Sequence, residues 1–214
     1  MLIVEHLKKS YHLGPVLNDI TFTVGSGITV GVLGKNGAGK TTLLRVIARI
    51  TSCDGGEVKL HDKSVLKGPA SERAGILYLG HQPNLYPVLT GEENLRLVAR
   101  LYGCDVSGED ILNTLDHVDL LRQRWDPIRY YSRGMLQRLG LAKAVMVPWE
   151  ILLMDEPASG LDEVGVGLLE SFIRRWQEEH RSMIVVSHDR AWLQTYCSHI
   201  LELKDGVMSE ISSA

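Results

Sequence analysis

Ile28-Thr29-Val30-Gly31-Val32-Leu33-Gly34-Lys35-Asn36-Gly37-Ala38-Gly39-Lys40-Thr41-Thr42, continued by Leu43-Leu44-Arg45-Val46-Ile47-Ala48, is the stretch on which the fold turns. It opens as an apolar run of strand length, passes through a glycine-rich loop and ends in an apolar helix-forming segment. The spacing matches G-x-x-x-x-G-K-[ST] in the strand, loop and helix context that the motif requires. Gly34, Gly37 and Gly39 let the loop curl, so that the N–H groups from Gly34 through Thr42, with Asn36 and Ala38 among them, turn inward on phosphate oxygens. The helix that follows adds partial positive charge at its N-terminus. Lys40 is then placed to hold the β- and γ-phosphates of a nucleotide. The Thr41 hydroxyl is placed to ligate Mg²⁺, a hard cation that shares its coordination sphere with phosphate oxygens.

Outward from that loop, short apolar runs predict strands at Leu2–Leu7, Ile20–Val24, Ile28–Leu33, Glu57–Leu60, Ile76–Leu79, Ile151–Met154, Met183–Val186 and Ile200–Leu203. Helical periodicity predicts helices at Thr41–Arg49, Glu92–Tyr102, Glu109–Val118, Leu136–Val147, Glu163–Glu179 and Arg190–Tyr196. Strands dominate first and then alternate with helices. That order predicts an α/β core with a parallel sheet, an antiparallel β region near the N-terminus and a helical insertion from about Pro87 to Met146.

The apolar run Ile151–Met154 leads straight into Asp155-Glu156-Pro157, which sets two acids at the carboxyl end of a buried strand, where open α/β sheets bind ligands. Adjacent acids at such a place call for a cation. Asp155 is expected to hold Mg²⁺ through water. Glu156, expected on the opposite side of the pleat, is the candidate general base for an attacking water.

Composition narrows the alternatives. The 214 residues, 44% hydrophobic and 23% charged, fit one large globular domain and exclude disordered, collagen-like and coiled-coil classes. A net charge of −3 supplies no global field to draw the chain onto nucleic acid, and no nucleic-acid partner is expected. Cys53, Cys104 and Cys197 are odd in number and far apart, which argues against a disulfide framework or a paired-cysteine metal site. No apolar run approaches the length of a membrane span, and Met1–His6 lacks the features of a signal peptide, so the chain is expected to stay where it is made.

Asp155-Glu156-Pro157-Ala158-Ser159-Gly160-Leu161-Asp162, together with Gly34–Thr42 and Val185-Val186-Ser187-His188-Asp189, resembles the nucleotide-binding subunit of ABC transporters along essentially the whole chain. The resemblance implies a P-loop NTPase of ABC type. Its core sheet would be mixed and mainly parallel, with an N-terminal antiparallel β subdomain and a helical subdomain near 87–146, all within a single nucleotide-binding domain over 1–214. It further implies that Tyr11 stacks on adenine and that Gln82 senses Mg²⁺ and the attacking water. His188 would contact the γ-phosphate, and Ser132 and Gly134 would bind the γ-phosphate of ATP held by a second copy. ATP and Mg²⁺ are the implied cofactors. A homodimer in the ATP-bound state and integral membrane subunits are the implied partners, and the cytoplasmic face of the cell membrane is the implied location, held peripherally through those partners. A cleft beside Gln82, formed by Pro83–Leu89 and the helical insertion, would receive a short helix of the membrane partner.

The family pattern Leu-Ser-Gly-Gly-Gln is replaced by Tyr131-Ser132-Arg133-Gly134-Met135. Arg133 adds a cation, and the expectation is that it strengthens phosphate contact across the dimer. From Arg122 to Lys143 the chain carries six basic residues against the single acid Asp126, a run that reads as a solvated helix face. Leu77–Leu85 and Leu89–Leu95 are similar to the cytochrome c maturation, or haem exporter, ATPase, and with 26 residues after His188 no added C-terminal regulatory domain is expected. Other small-molecule or ion exporters share the same skeleton and form the alternative. A soluble ABC ATPase acting on DNA or ribosomes fits less well, because only 50 residues separate Gln82 from Ser132 and a single Lys40 loop is present. A non-hydrolysing ATP-binding regulator is suggested by Arg133 and Met135 alone.

Overall fold

The computed structural model describes residues 1–69, 75–81 and 84–211. These form two compact units, one of Met1–Tyr78, Glu150–Glu156 and Ile173–Ala214, the other of Leu79–Trp149 and Pro157–Phe172.

In the first unit, β1 (Leu2–Tyr11), β2 (Gly14–Val24), β4 (Gly55–Leu60) and β5 (Lys63–Ser64) form an antiparallel sheet in the order β2-β1-β4-β5. A second sheet has the order β10-β9-β3-β8-β7-β6, built from β3 (Thr29–Leu33), β6 (Ile76–Leu79), β7 (Ile151–Asp155), β8 (Ser182–Ser187), β9 (His199–Lys204) and β10 (Val207–Ile211). Its middle strands run parallel, β3 pairing with both β8 and β9 and β8 with β7. Strands β7 and β8 are buried at every residue, which is why they read as unbroken apolar runs rather than alternations. Helix α1 (Lys40–Ile47) lies against β7 and β2, and α6 (Arg190–Tyr196) against β3 and β8. One apolar core, with Leu7, Ile20, Val32, Leu43, Ile47, Leu153 and Val186 among its members, joins both sheets to α1.

The second unit packs α2 (Gly91–Leu101), α3 (Gly108–His117) and α4 (Arg133–Met146) on one another. Capping boxes start α2 at Thr90/Glu93 and α3 at Ser107/Asp110. Asn94 is fully buried and fixes the segment before α2: its amide donates to the carbonyls of Tyr86, Leu89 and Thr90, and its oxygen accepts from the Tyr86 N–H. Helix α5 (Glu163–Glu178) begins in this unit and ends in the first.

Every expected strand and helix is present, β6 and α6 with the expected ends and the others with different ones. Strand β1 runs on to Tyr11 and β2 starts at Gly14, because Lys9 and Ser10 still pair, through register shifts, with β2. Helix α4 starts at Arg133 rather than Leu136, since the Ser132 hydroxyl accepts the Met135 N–H and caps it. Strands β5 and β10 were not expected. Two-residue turns with positive φ, His61-Asp62 and Asp205-Gly206, fold them back on β4 and β9. The basic run is not a uniformly solvated face. Arg138 is 8% exposed and donates to the carbonyls of Val118 and Asp119 and to the Asp119 carboxylate, while Lys143 is 7% exposed, its pKa lowered to about 8 by desolvation.

Candidate functional site

Strand β3 delivers the glycine-rich loop to the carboxyl edge of the parallel sheet. At Gly34 an added Cβ would stand 2.6 Å from the Leu203 carbonyl oxygen, so any side chain there would force the loop off β9. Gly39 caps α1 with φ 101°, a left-handed conformation that favours glycine, and so turns the chain directly into the helix. Lys40, the first residue of α1, is 6% exposed. Its ammonium donates to the carbonyls of Gly34 at 2.6 Å and Lys35 at 3.3 Å and pairs with Glu156 Oε1 at 3.3 Å.

Strand β7 brings Asp155 to the same edge. The Thr41 hydroxyl donates to Asp155 Oδ1 and the Tyr78 hydroxyl to Oδ2, each at 3.1 Å. Asp155 is 2% exposed and these donors are neutral hydroxyls, so among the described residues no ion pair matches the carboxylate. Tyr78 was not singled out from the sequence. Burial, the Asp155 charge and the shared hydrogen bond push its hydroxyl pKa far above the ordinary value, which keeps it a donor.

Glu156 departs from the expected pleat alternation. Its φ is 50°, and its N–H donates to the Val186 carbonyl at 3.0 Å, so the left-handed kink turns the carboxylate back toward the phosphate loop and the end of β8. Oε2 meets His188 Nδ1 at 2.9 Å and accepts from the Ser187 hydroxyl at 3.3 Å. Oε1 is buried and has no hydrogen-bond partner among the described residues, its contact with Lys40 being an ion pair without hydrogen-bond alignment. That orphaned lone pair, beside an ammonium, is an acceptor site for a water proton. The contact with His188, whose side chain is 63% exposed, extends this group toward solvent.

A cavity of about 370 Å³ has Tyr11, Val16, Asn36, Lys40, Thr42 and Glu156 in its lining. The structure therefore gathers Tyr11, the loop, Thr41, Asp155, Glu156 and His188 around one edge of the first unit. Ser132 and Gly134 belong to the second unit, where Ser132 caps α4. Gln82 lies outside the described residues. The three cysteines are free thiols, and burial pushes Cys197 up to about 12, which removes it from thiolate chemistry.

A phosphate-binding loop and two strand-end acids at the carboxyl edge of a parallel sheet define a P-loop nucleotide-hydrolysing protein. The ABC transporter family model matches residues 17–159, and the chain belongs to that family as an ATP-hydrolysing subunit. It is 32% identical to the ABC transporter ATP-binding protein NatA of Bacillus subtilis over 89% of this chain and 78% of that one. It is 30% identical to the lantibiotic transport ATP-binding protein SrtF of Streptococcus pyogenes over 88% and 80% respectively. A solved structure of an ATP-binding subunit of an ABC transporter superposes with a TM-score of 0.89 at 28% identity, covering 99% of this chain and 90% of the other. The ATP-binding cassette MJ0796, solved as a dimer in a post-hydrolysis state with ADP and Pi, superposes with a TM-score of 0.87 at 25% identity over the whole of both chains.

Proposed function

We propose that the chain is the ATPase of a membrane export complex and acts as one nucleotide-binding cassette. The observation that carries this reading is the convergence of Lys40, Thr41, Asp155, Glu156 and His188 on one sheet edge. In it, Gly34–Thr42 cradle the phosphates of ATP, Tyr11 stacks on adenine, Lys40 neutralises the β- and γ-phosphates, and Glu156 receives a proton from the attacking water. His188 and Gln82 orient that water and the γ-phosphate. Ser132 and Gly134 close on the ATP of a second copy, so that the competent state is a homodimer with two nucleotides between its halves. Among the described residues no helix is long and apolar enough to cross a membrane. In this reading the membrane-spanning part comes from separate subunits, and the chain sits peripherally on the cytoplasmic face.

Mg²⁺ fits the donor set. A hydroxyl and a buried carboxylate are hard oxygen ligands, and Thr41 and Asp155 would hold the ion while nucleotide oxygens, water and Gln82 complete its shell. The ion would supply charge neutralisation at the phosphates. Tyr78 fixes the Asp155 carboxylate for that task. Tyr78→Phe is expected to raise the Mg²⁺ concentration for half-maximal ATPase by about tenfold, as loss of an outer hydrogen bond commonly does. An unchanged Mg²⁺ titration would remove Tyr78 from this role.

The relatives named for lantibiotic and bacitracin transport favour an exporter of small amphipathic or peptide molecules. The resemblance of Leu77–Leu85 and Leu89–Leu95, read from the sequence alone, to the cytochrome c maturation ATPase makes haem export the second reading. Purification of a tagged Glu156→Gln protein from host membranes, with mass spectrometry and a visible absorption spectrum, separates the two. Membrane subunits without a haem band are the expected result. A haem band would favour the second reading, and a catch of soluble proteins alone would overturn the transport function.

A further inference from the structure

We propose that Arg133 is a positioning residue of the ATPase, tying the segment before Gln82 and the loop after Glu156 to the start of α4. The inference rests on the ATPase reading and adds to it a role for the residue that departs from the family pattern.

The geometry lies within the second unit. Arg133 Nη2 stands 2.7 Å from His81 Nε2 and 3.0 Å from the Ser159 hydroxyl. Nη2 also stands 3.4 Å from His81 Nδ1, so the guanidinium rests against the imidazole with both ring nitrogens in reach. The rest of the side chain lies across Gly160, where an added Cβ would stand 2.5 Å from Arg133 Nε and 2.7 Å from Cδ. One turn along the same face of α4, Gln137 Nε2 donates to the His81 carbonyl at 3.1 Å. His81 is thus gripped at its ring and at its backbone by an i, i+4 pair, immediately before Gln82 in the chain. Ser159 and Gly160 follow Glu156 by three and four residues. A glycine at position 133 would have no side chain with which to make either contact.

This geometry gives the side chain a role within its own chain besides the expected contact with the partner's phosphate, through Nη2. Arg133 and His81 are exposed, so their bond adds little to global stability. Its effect falls instead on where the two segments sit when water attacks. Misplacement of groups around a reacting centre lowers rate far more than it lowers binding.

The test is a double-mutant cycle of ATPase kinetics on the purified protein, comparing Arg133→Gly, His81→Ala and the pair, with His81→Gln as the conservative variant. Each single substitution is expected to lower kcat by about tenfold, with KM for ATP within about twofold of the starting value. Melting temperatures should stay within about 2 °C, as for an exposed substitution. The double variant should lose no more than either single one, because each removes what the other holds. His81→Gln, which keeps an acceptor, should retain most of the rate. Full kcat in Arg133→Gly, or losses that multiply in the double variant, would overturn the proposal. A rise in KM alone would also overturn it, since that result would leave direct phosphate contact as the guanidinium's only role. Absence of turnover in the unsubstituted protein would sink the ATPase reading and this proposal with it.

Discussion

Glu156→Gln should lower the ATPase kcat by about a thousandfold, within the range of a lost general base, while ATP binding persists. The substitution keeps the size of the side chain and removes its charge and its basicity. In the native site Oε2 is committed to His188 at 2.9 Å and to Ser187 at 3.3 Å, so Oε1 is the oxygen left to accept a proton. An amide oxygen in its place is far too weak a base. The same change takes away the anion that holds Lys40 at 3.3 Å, leaving the ammonium free for phosphate. Binding is thus maintained or tightened while chemistry stops, and an ATP-bound dimer should accumulate on size-exclusion chromatography with ATP and Mg²⁺. Hydrolysis within tenfold of the native rate, by steady-state phosphate release, would take Glu156 out of the base role.

The left-handed kink explains why this residue and not its neighbour is the proposed base. Regular alternation after β7 would send consecutive side chains to opposite faces. A φ of 50° at a residue with a Cβ is held against a steric cost of about 1–2 kcal/mol, and here the Glu156 N–H to Val186 bond and the carboxylate contacts hold it. Both acids thus meet the phosphate-loop helix, Asp155 at the Thr41 hydroxyl and Glu156 at the Lys40 ammonium.

That kink marks where reading the sequence stops. The phosphate loop was legible because its glycines, Lys40 and Thr41 stand at fixed spacing between an apolar strand and an apolar helix. The buried strands β7 and β8 were legible because parallel strands covered on both faces are continuous apolar runs. The reversal of Glu156 was not, since nothing in Asp155-Glu156-Pro157 announces a positive φ at a glutamate. Tyr78 escaped for a similar reason: a tyrosine on a strand bears no mark of the carboxylate it will meet, and Asp155 lies far along the chain. The Arg133 contacts join residues 52 and 26 positions apart, a separation that pattern cannot bridge. Strand β10 could have been found, because Lys204-Asp205-Gly206-Val207 carries the Asp-Gly pair of a two-residue hairpin turn.

Lys40→Met removes the other half of the central ion pair and should abolish nucleotide binding, raising the Kd for ATP at least about a hundredfold through loss of a charge-assisted contact to the phosphates. Methionine keeps most of the packing volume, so the loss can be assigned to the ammonium. With ATP and Mg²⁺ at about 100 times the native Kd, binding stabilises the unsubstituted protein by about 2.7 kcal/mol, which for a chain of this length shifts the melting temperature by roughly 5–10 °C. The variant should show no such shift. Without nucleotide it should melt below the native protein, because the Gly34 carbonyl loses its donor and Glu156 Oε1 is left buried beside an apolar side chain. Pairing Lys40→Met with Glu156→Gln removes both charges together, and the double variant should recover much of that nucleotide-free stability without regaining ATP binding. A native-sized thermal shift in Lys40→Met would mean that the backbone N–H groups of the loop hold the phosphates without the ammonium, and that Lys40 serves mainly to keep the empty loop closed on Gly34 and Lys35.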